Sequence, residues 1–415
     1  MKANNSLSEA SRPSKAEFYS LLSAMFFLPL YEVPKNLCLL VFLIFWLINR
    51  IKNKDFGGKI SALDISVFLL AASGFITAFF TELHDKEWSG PNNLLLIGIV
   101  MLMVYRSNYK TEQLRTILNI ILFSTVLASI EAYLQQFFLR ECSPCNFELH
   151  SVGHFNHSAI YVLLAFGISI SKLLSFWNDY NKKHKLLNIA LAIFFASTCF
   201  ASFSRAAAGA SIALTIILGF LWLPKSKKPF IALATSAVLA VIIAYAANVD
   251  VITKHMTNIR NNDLLASRDT IWNTGLTAFK KYPTFGVGMK NYGLITMDKV
   301  EQWSKDMQIK FDKSKHQEAP HAHSLYVNTA AEKGAIGLIA LFIFALTSAL
   351  MLLKSYPRKA SENINWFFWG SACCAWMTTF GIGLVNTTLH HEHGMLTLIL
   401  LAISFCYSKF IKQKD

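Results

Sequence analysis

The run GAIGLIALFIFALTSALMLL at positions 334–353 carries no charge over 20 residues and is closed by Lys333 and Lys354. That length of helix is about 30 Å, the thickness of a bilayer's hydrocarbon core. Working outward from it, comparable apolar stretches occur at about 17–32, 36–50, 64–83, 93–105, 116–139, 158–177, 186–204, 206–223, 230–248, 365–386 and 394–410. With the first run they make twelve, and the expectation is an all-α integral membrane protein. The stretch 93–105 is short and needs flanking polar residues to complete it. The first ends at Leu28-Pro29-Leu30-Tyr31-Glu32 without an Ala-x-Ala-like cleavage site, so it reads as a retained span.

Composition agrees: of 415 residues 53% are hydrophobic and 15% charged, against roughly a quarter charged in soluble domains. A cytosolic enzyme and a disordered tail are excluded on that ground, and seven cysteines are too few for a disulfide scaffold. The net charge of +14 would suggest nucleic acid in a soluble protein. Its placement says otherwise, and no nucleic-acid partner is expected. Alternate short segments, beginning with the N-terminus, hold 23 Lys and Arg, whereas the others hold only Lys35, Lys86, Arg140 and Arg205. Cytoplasmic loops collect positive residues, so both termini are expected in the cytoplasm. Trp46, Trp177 and Trp222 fall at inner helix ends and Trp88 outside, as interfacial aromatics do.

Three regions follow: 1–248 with nine spans, 249–333 as a long outer segment, and 334–415 with three spans. The outer segment is polar and long, and such loops usually carry function. It reads as helical, with Leu264, Leu265, Ile271, Trp272, Leu276 and Phe279 near a helical period and a weaker amphipathic stretch at Asn291–Phe311. Tyr282-Pro283-Thr284-Phe285-Gly286-Val287-Gly288 is a turn between them.

Three elements carry chemistry. Arg205 stands among small residues between the seventh and eighth stretches, where an arginine needs a cavity or an anion unless it snorkels to the interface. Arg268 follows Ser267, a potential helix cap; orphan N–H groups and a guanidinium then face one anion, or Arg268 simply pairs with Asp269. Pro320-His321-Ala322-His323-Ser324 leads into the tenth span, with a helix expected to start at Pro320 and His323 in its first turn. The helix dipole there would keep the imidazole neutral and usable as a base, although His-x-His also suits zinc. No carboxylate pair spaced for a divalent metal is evident in the loop, so metal-free chemistry is expected.

His323-Ser324, nine residues, Gly334, two residues and Gly337 reproduce a pattern of O-antigen ligases. Arg268 followed by Trp272 is close to another of their elements, with Trp in place of Leu. Tyr282–Tyr292 and Gly153-His154-Phe155-Asn156-His157 also resemble that superfamily of lipid-linked glycan ligases and polymerases, and twelve spans with one large outer loop match its layout. The resemblance implies transfer of O-antigen from undecaprenyl diphosphate to the lipid A core at the periplasmic face of a Gram-negative inner membrane, without metal or other cofactor. By the same resemblance Arg205, Arg268 and His323 are catalytic, with Arg205, Arg268 and His321 contacting substrate. Its implied partners are the donor, the acceptor, membrane lipids and other polysaccharide-export proteins.

Rivals are an O-antigen polymerase, a protein O-oligosaccharyltransferase and a transporter of lipid-linked sugars. Polymerases tend to place glycine eleven positions after a loop arginine, which Arg205, Arg260 and Arg268 lack. Oligosaccharyltransferases usually carry more soluble chain than follows Phe410. A transporter would carry its charges near the bilayer midplane. Three further groups stand apart. Cys142 and Cys145 read as a disulfide more readily than as zinc ligands or free thiols. His390-His391-Glu392-His393 reads as a polar rim facing acceptor phosphates rather than a metal cluster. Glu131 reads as either a buried proton site or a partner for a cation.

Overall fold

The computed structural model describes residues 12–138, 147–202, 204–223, scattered positions between 228 and 242, 268–358 and 361–414. Among them lie thirteen helices and no strand: α1 Lys15–Phe27, α2 Glu32–Asn53, α3 Ala62–Phe80, α4 Ser89–Arg106, α5 Thr111–Phe138, α6 Phe155–Phe176, α7 Lys182–Ala201, α8 Arg205–Trp222, α9 Arg268–Lys281, α10 Met297–Asp306, α11 Leu325–Lys354, α12 Asn363–Ile382 and α13 His391–Lys414. Seven of these (α2, α3, α5, α6, α7, α8, α11) are long and apolar enough to cross a membrane. Helices lie over eleven of the twelve apolar stretches. The ninth falls largely outside the described residues, as do Cys142, Cys145, Leu264, Leu265 and Ser267.

Local chemistry explains where the boundaries differ from expectation. The first stretch divides, because Pro29 cannot continue a helix: α1 stops at Phe27 after 13 residues, and α2 begins at Glu32. The short fourth stretch is completed by Ser89, Gly90, Pro91 and Asn92, with Pro91 tolerated in the first turn. Ser61 and Asp64 form a capping box that starts α3, and Arg106 at the end of α4 bonds Asp64 at 2.7 Å. Arg50 and Glu17, both fully buried, pair at 3.2 Å, with Ser107 bonded to each.

The bundle is built around α6, which is apolar all round and buried along nearly its whole length. It packs against α5, α7, α8, α12 and α13. Outer helices reverse this pattern: on α2, Leu37, Leu40, Ile44, Leu47, Ile48 and Ile51 form an exposed stripe at helical spacing. An apolar face of that extent belongs against lipid.

Residues 268–324 form a small helical unit with its own core, made of Ile271, Ala278, Val287, Tyr292, Ile295, Val300, Trp303 and Ala322. The expected stretch Asn291–Phe311 resolves into a 3-10 turn at Tyr292–Leu294 and α10, which Thr296 caps. The unit is sewn to α11 by backbone. Val287 N–H donates to Ala331 (2.9 Å), Gly288 N–H to Glu332 (2.9 Å) and Ala335 N–H to Pro283 (2.8 Å). The Ala331 and Glu332 carbonyls and the Ala335 N–H are free because α11 breaks its helical geometry at Gly334, with φ 61° and ψ −158°, a conformation essentially reserved for glycine. A Cβ at Gly334 would strike the Thr284 carbonyl, and one at Gly286 would strike the backbone of Ala331 and Glu332.

Gly334→Ala therefore meets strain of about 1–3 kcal/mol and a backbone clash together. We expect a fall in melting temperature of at least about 5 °C in detergent, read by tryptophan fluorescence. Gly209→Ala, on a helix face with nothing within 4 Å of the added methyl, should be neutral or slightly stabilising.

Candidate active site

The bend in α11 fixes what precedes it. The helix starts at Leu325, not at Pro320, because Ser324 is the residue that caps it: its Oγ accepts the Val327 N–H, and the Leu325 N–H is taken by the carbonyls of Gly383 (2.7 Å) and Asn386 (3.0 Å) beyond α12. His323 thus lies just ahead of the cap rather than in the first turn. It holds a left-handed backbone, φ 49°, which is uncommon outside glycine and sets the direction of its ring. Asn328 Oδ1 accepts the Ala322 N–H at 3.0 Å and steadies the segment from the helix side.

His323 and His321 pack against each other with ring centroids 4.2 Å apart and planes tilted by 55°. The His323 Nδ1 is buried and has no hydrogen-bond partner among the described residues. Its pKa is pushed down to about 4, first by burial and then by the charges of His321, Arg268 and His154. The neutral ring expected from the sequence is thus present, with burial rather than a first-turn dipole as the leading cause. His321 is also pushed down to about 4, by burial and then by His154 and His391.

Arg205 is the first residue of α8, and Arg268 is the first described residue of α9. Ser204 caps α8 by accepting the Ala207 N–H. Arg268 is half-buried, and its pKa is lowered by burial and by the positive charge of Arg205. The influence of Arg205 on Arg268, and of Arg268 on His323, puts the three sequence-predicted catalytic residues in one neighbourhood. Two guanidinium groups and the N-terminus of α8 lie there, a combination that attracts an anion. Trp272, where the motif has Leu, does not prevent α9 from forming. Gly334 and Gly337 act on the backbone: Gly334 makes the bend, and a Cβ at Gly337 would collide with the Lys333 side chain.

Other groups take different places from those expected. Glu131 accepts hydrogen bonds from Tyr31 Oη (3.3 Å) and Gln135 Nε2 (3.4 Å). His390–His393 is not a separate rim. Its rings pack on His157, at 4.7 Å for His390, 5.3 Å for His391 and 5.2 Å for His393, and His157 in turn lies 6.0 Å from His321. His154 caps α6 through Nδ1 and lies 5.5 Å from His157. Seven of the twelve histidines thus form one continuous group. A signal for this existed in the sequence, since all three histidine-bearing segments precede spans that start from the same side.

Beside this group is a cavity of about 630 Å³, whose lining includes Lys35, Lys290, His321 and His391 together with Leu39, Leu43, Leu94 and Ile97. Its lining includes His321 but not Arg205, Arg268 or His323. It is amphipathic, with polar and apolar walls in one space.

Comparison with known proteins gives two findings. An uncharacterized protein of Haemophilus influenzae is 26% identical over 369 residues, covering 83% of this chain and 87% of its own length. The model of the family described as O-Antigen ligase matches residues 190–342, the part that holds Arg205, Arg268, His321, His323, Ser324, Gly334 and Gly337. This match, falling on the segment that builds the site, supports membership of the chain in the O-antigen ligase/polymerase superfamily.

Proposed function

We propose that the protein is an O-antigen ligase, transferring polysaccharide from undecaprenyl diphosphate to the lipid A core. The observation that carries this reading is the convergence of Arg205, Arg268 and a neutral His323. In this reading the chain crosses a Gram-negative inner membrane twelve times with both termini in the cytoplasm, and residues 249–333 cover a cleft on the periplasmic side. No nucleotide sugar exists outside the cytoplasm, so a donor acting there arrives already activated on a lipid diphosphate.

The chemistry follows from the groups. As the glycosidic C–O bond breaks, negative charge grows on the departing diphosphate, and the guanidinium groups of Arg205 and Arg268 stabilise it. His323 accepts the proton of the acceptor hydroxyl as the new C–O bond forms. Attack from the face opposite the leaving group inverts the anomeric carbon. The charge compensation assigned to the two arginines leaves no step that requires a metal. The amphipathic cavity, open to both charge and hydrocarbon, accommodates a substrate carrying a lipid tail.

Deleting the gene should leave long polymer on the lipid carrier and the lipid A core bare, read by gel and mass spectrometry. A core bearing a single repeat unit would instead make the protein the polymerase. His323→Gln should reproduce the deletion and lower transfer by about 10²–10⁴-fold. Arg268→Lys keeps the charge but loses the planar fork, so transfer should fall by at least about 10-fold. Full transfer by both variants would refute the mechanism.

The pH dependence has a definite sign. The base must be neutral, and burial holds His323 near 4, so kcat/KM should keep its value down to about pH 5 and fall below it. An ordinary histidine would give a fall near 6.5. The bound diphosphate favours imidazolium, so the acid limb of kcat should lie at higher pH than that of kcat/KM.

A further inference from the structure

The chemistry proposed above uses only His323 of the seven grouped histidines, and His157, His390, His391 and His393 have no part in it. Three of these meet at one point. His157 near the start of α6 and His390 and His391 at the start of α13 present ligand nitrogens that all lie within 4.8 Å of one another. Ring centroids are 4.7 Å apart for His157 and His390, and 4.4 Å for His390 and His391. His157 is 7% exposed, and its Nε2 is buried with no hydrogen-bond partner among the described residues. A buried nitrogen lone pair or N–H left without a partner costs free energy unless something fills the place.

We propose that His157, His390 and His391 form a binding site for a divalent transition-metal ion of zinc's class. Tetrahedral zinc with imidazole at about 2.0–2.1 Å sets nitrogens about 3.3 Å apart, so small rotations of these rings close the site. Three neutral imidazoles are a donor set for such an ion, whereas calcium and magnesium require oxygen. An anion would need the rings charged, and imidazolium groups packed this closely in a buried place repel one another. Glu392, next to His391 in the sequence, is committed to an ion pair with buried Lys35. All three histidines also line the amphipathic cavity, so the remaining coordination position opens toward it. His391 holds a left-handed backbone, φ 50°, which turns its ring out of the helical path. A bound ion would clamp the start of α13 onto α6. It carries no step of the transfer assigned to Arg205, Arg268 and His323, so the inference stands apart from that reading.

The test uses the full chain, purified in detergent without a polyhistidine tag, stripped with chelator and titrated with Co²⁺. The expected result is about one Co²⁺ per chain, with the visible absorption of a four-coordinate ion, displaced by Zn²⁺. His157→Asn and the double variant His390→Asn/His391→Asn should each lower the affinity at least about 10-fold, while His316→Asn leaves it unchanged. X-ray absorption of the zinc form should show imidazole nitrogen at about 2.0 Å. No saturable binding to the unaltered chain, binding indifferent to the three histidines, or a sulfur scatterer at about 2.3 Å would overturn the proposal.

Discussion

The structure depends on one backbone-to-backbone contact, the docking of Pro283–Gly288 onto the bend of α11 at Gly334. Every hydrogen bond across it joins main chain to main chain, so affinity comes from peptide groups and shape from the absence of two Cβ atoms. Inside a helix those carbonyls would be satisfied by their own turn; the break at Gly334 releases them for the neighbouring segment. The consequence reaches in both directions. One strand of the chain leads from the docked turn back through α9 to Arg268, and the other leads from the bend back through Ser324 to His323. A single glycine therefore holds the cation and the neutral imidazole in register.

Electrostatics supplies the second constraint. The positive charge of Arg205, at the N-terminus of α8, bears on Arg268, and an anion bound there would relieve the repulsion. A neutral histidine close by is kept neutral by its burial and by the charges of His321, Arg268 and His154. The site thus separates its tasks by charge: the positive groups for what leaves, the uncharged base for what attacks.

Much of the helical layout was legible in the sequence because hydrophobic period is a local signal. Helices lie where the apolar stretches predict them, and the histidine, serine and glycine spacing named the residues that make the cap and the bend. What was misread depended on partners distant in the chain. His323 looked like a first-turn residue until Ser324 was seen to cap the helix with help from Gly383 and Asn386. The break after Phe27 was visible in Pro29 but masked by the surrounding leucines. His390–His393 looked like a rim because nothing in its own segment says that His157 and His321 lie against it.

The most direct test of the central claim is transfer by the purified chain in lipid nanodiscs, given only undecaprenyl-diphosphate-linked glycan and lipid A core. The account predicts glycan joined to the core with release of undecaprenyl diphosphate, and a new linkage of configuration opposite to the donor's. A linkage that retains the donor's configuration, or the absence of any joined product, would contradict it.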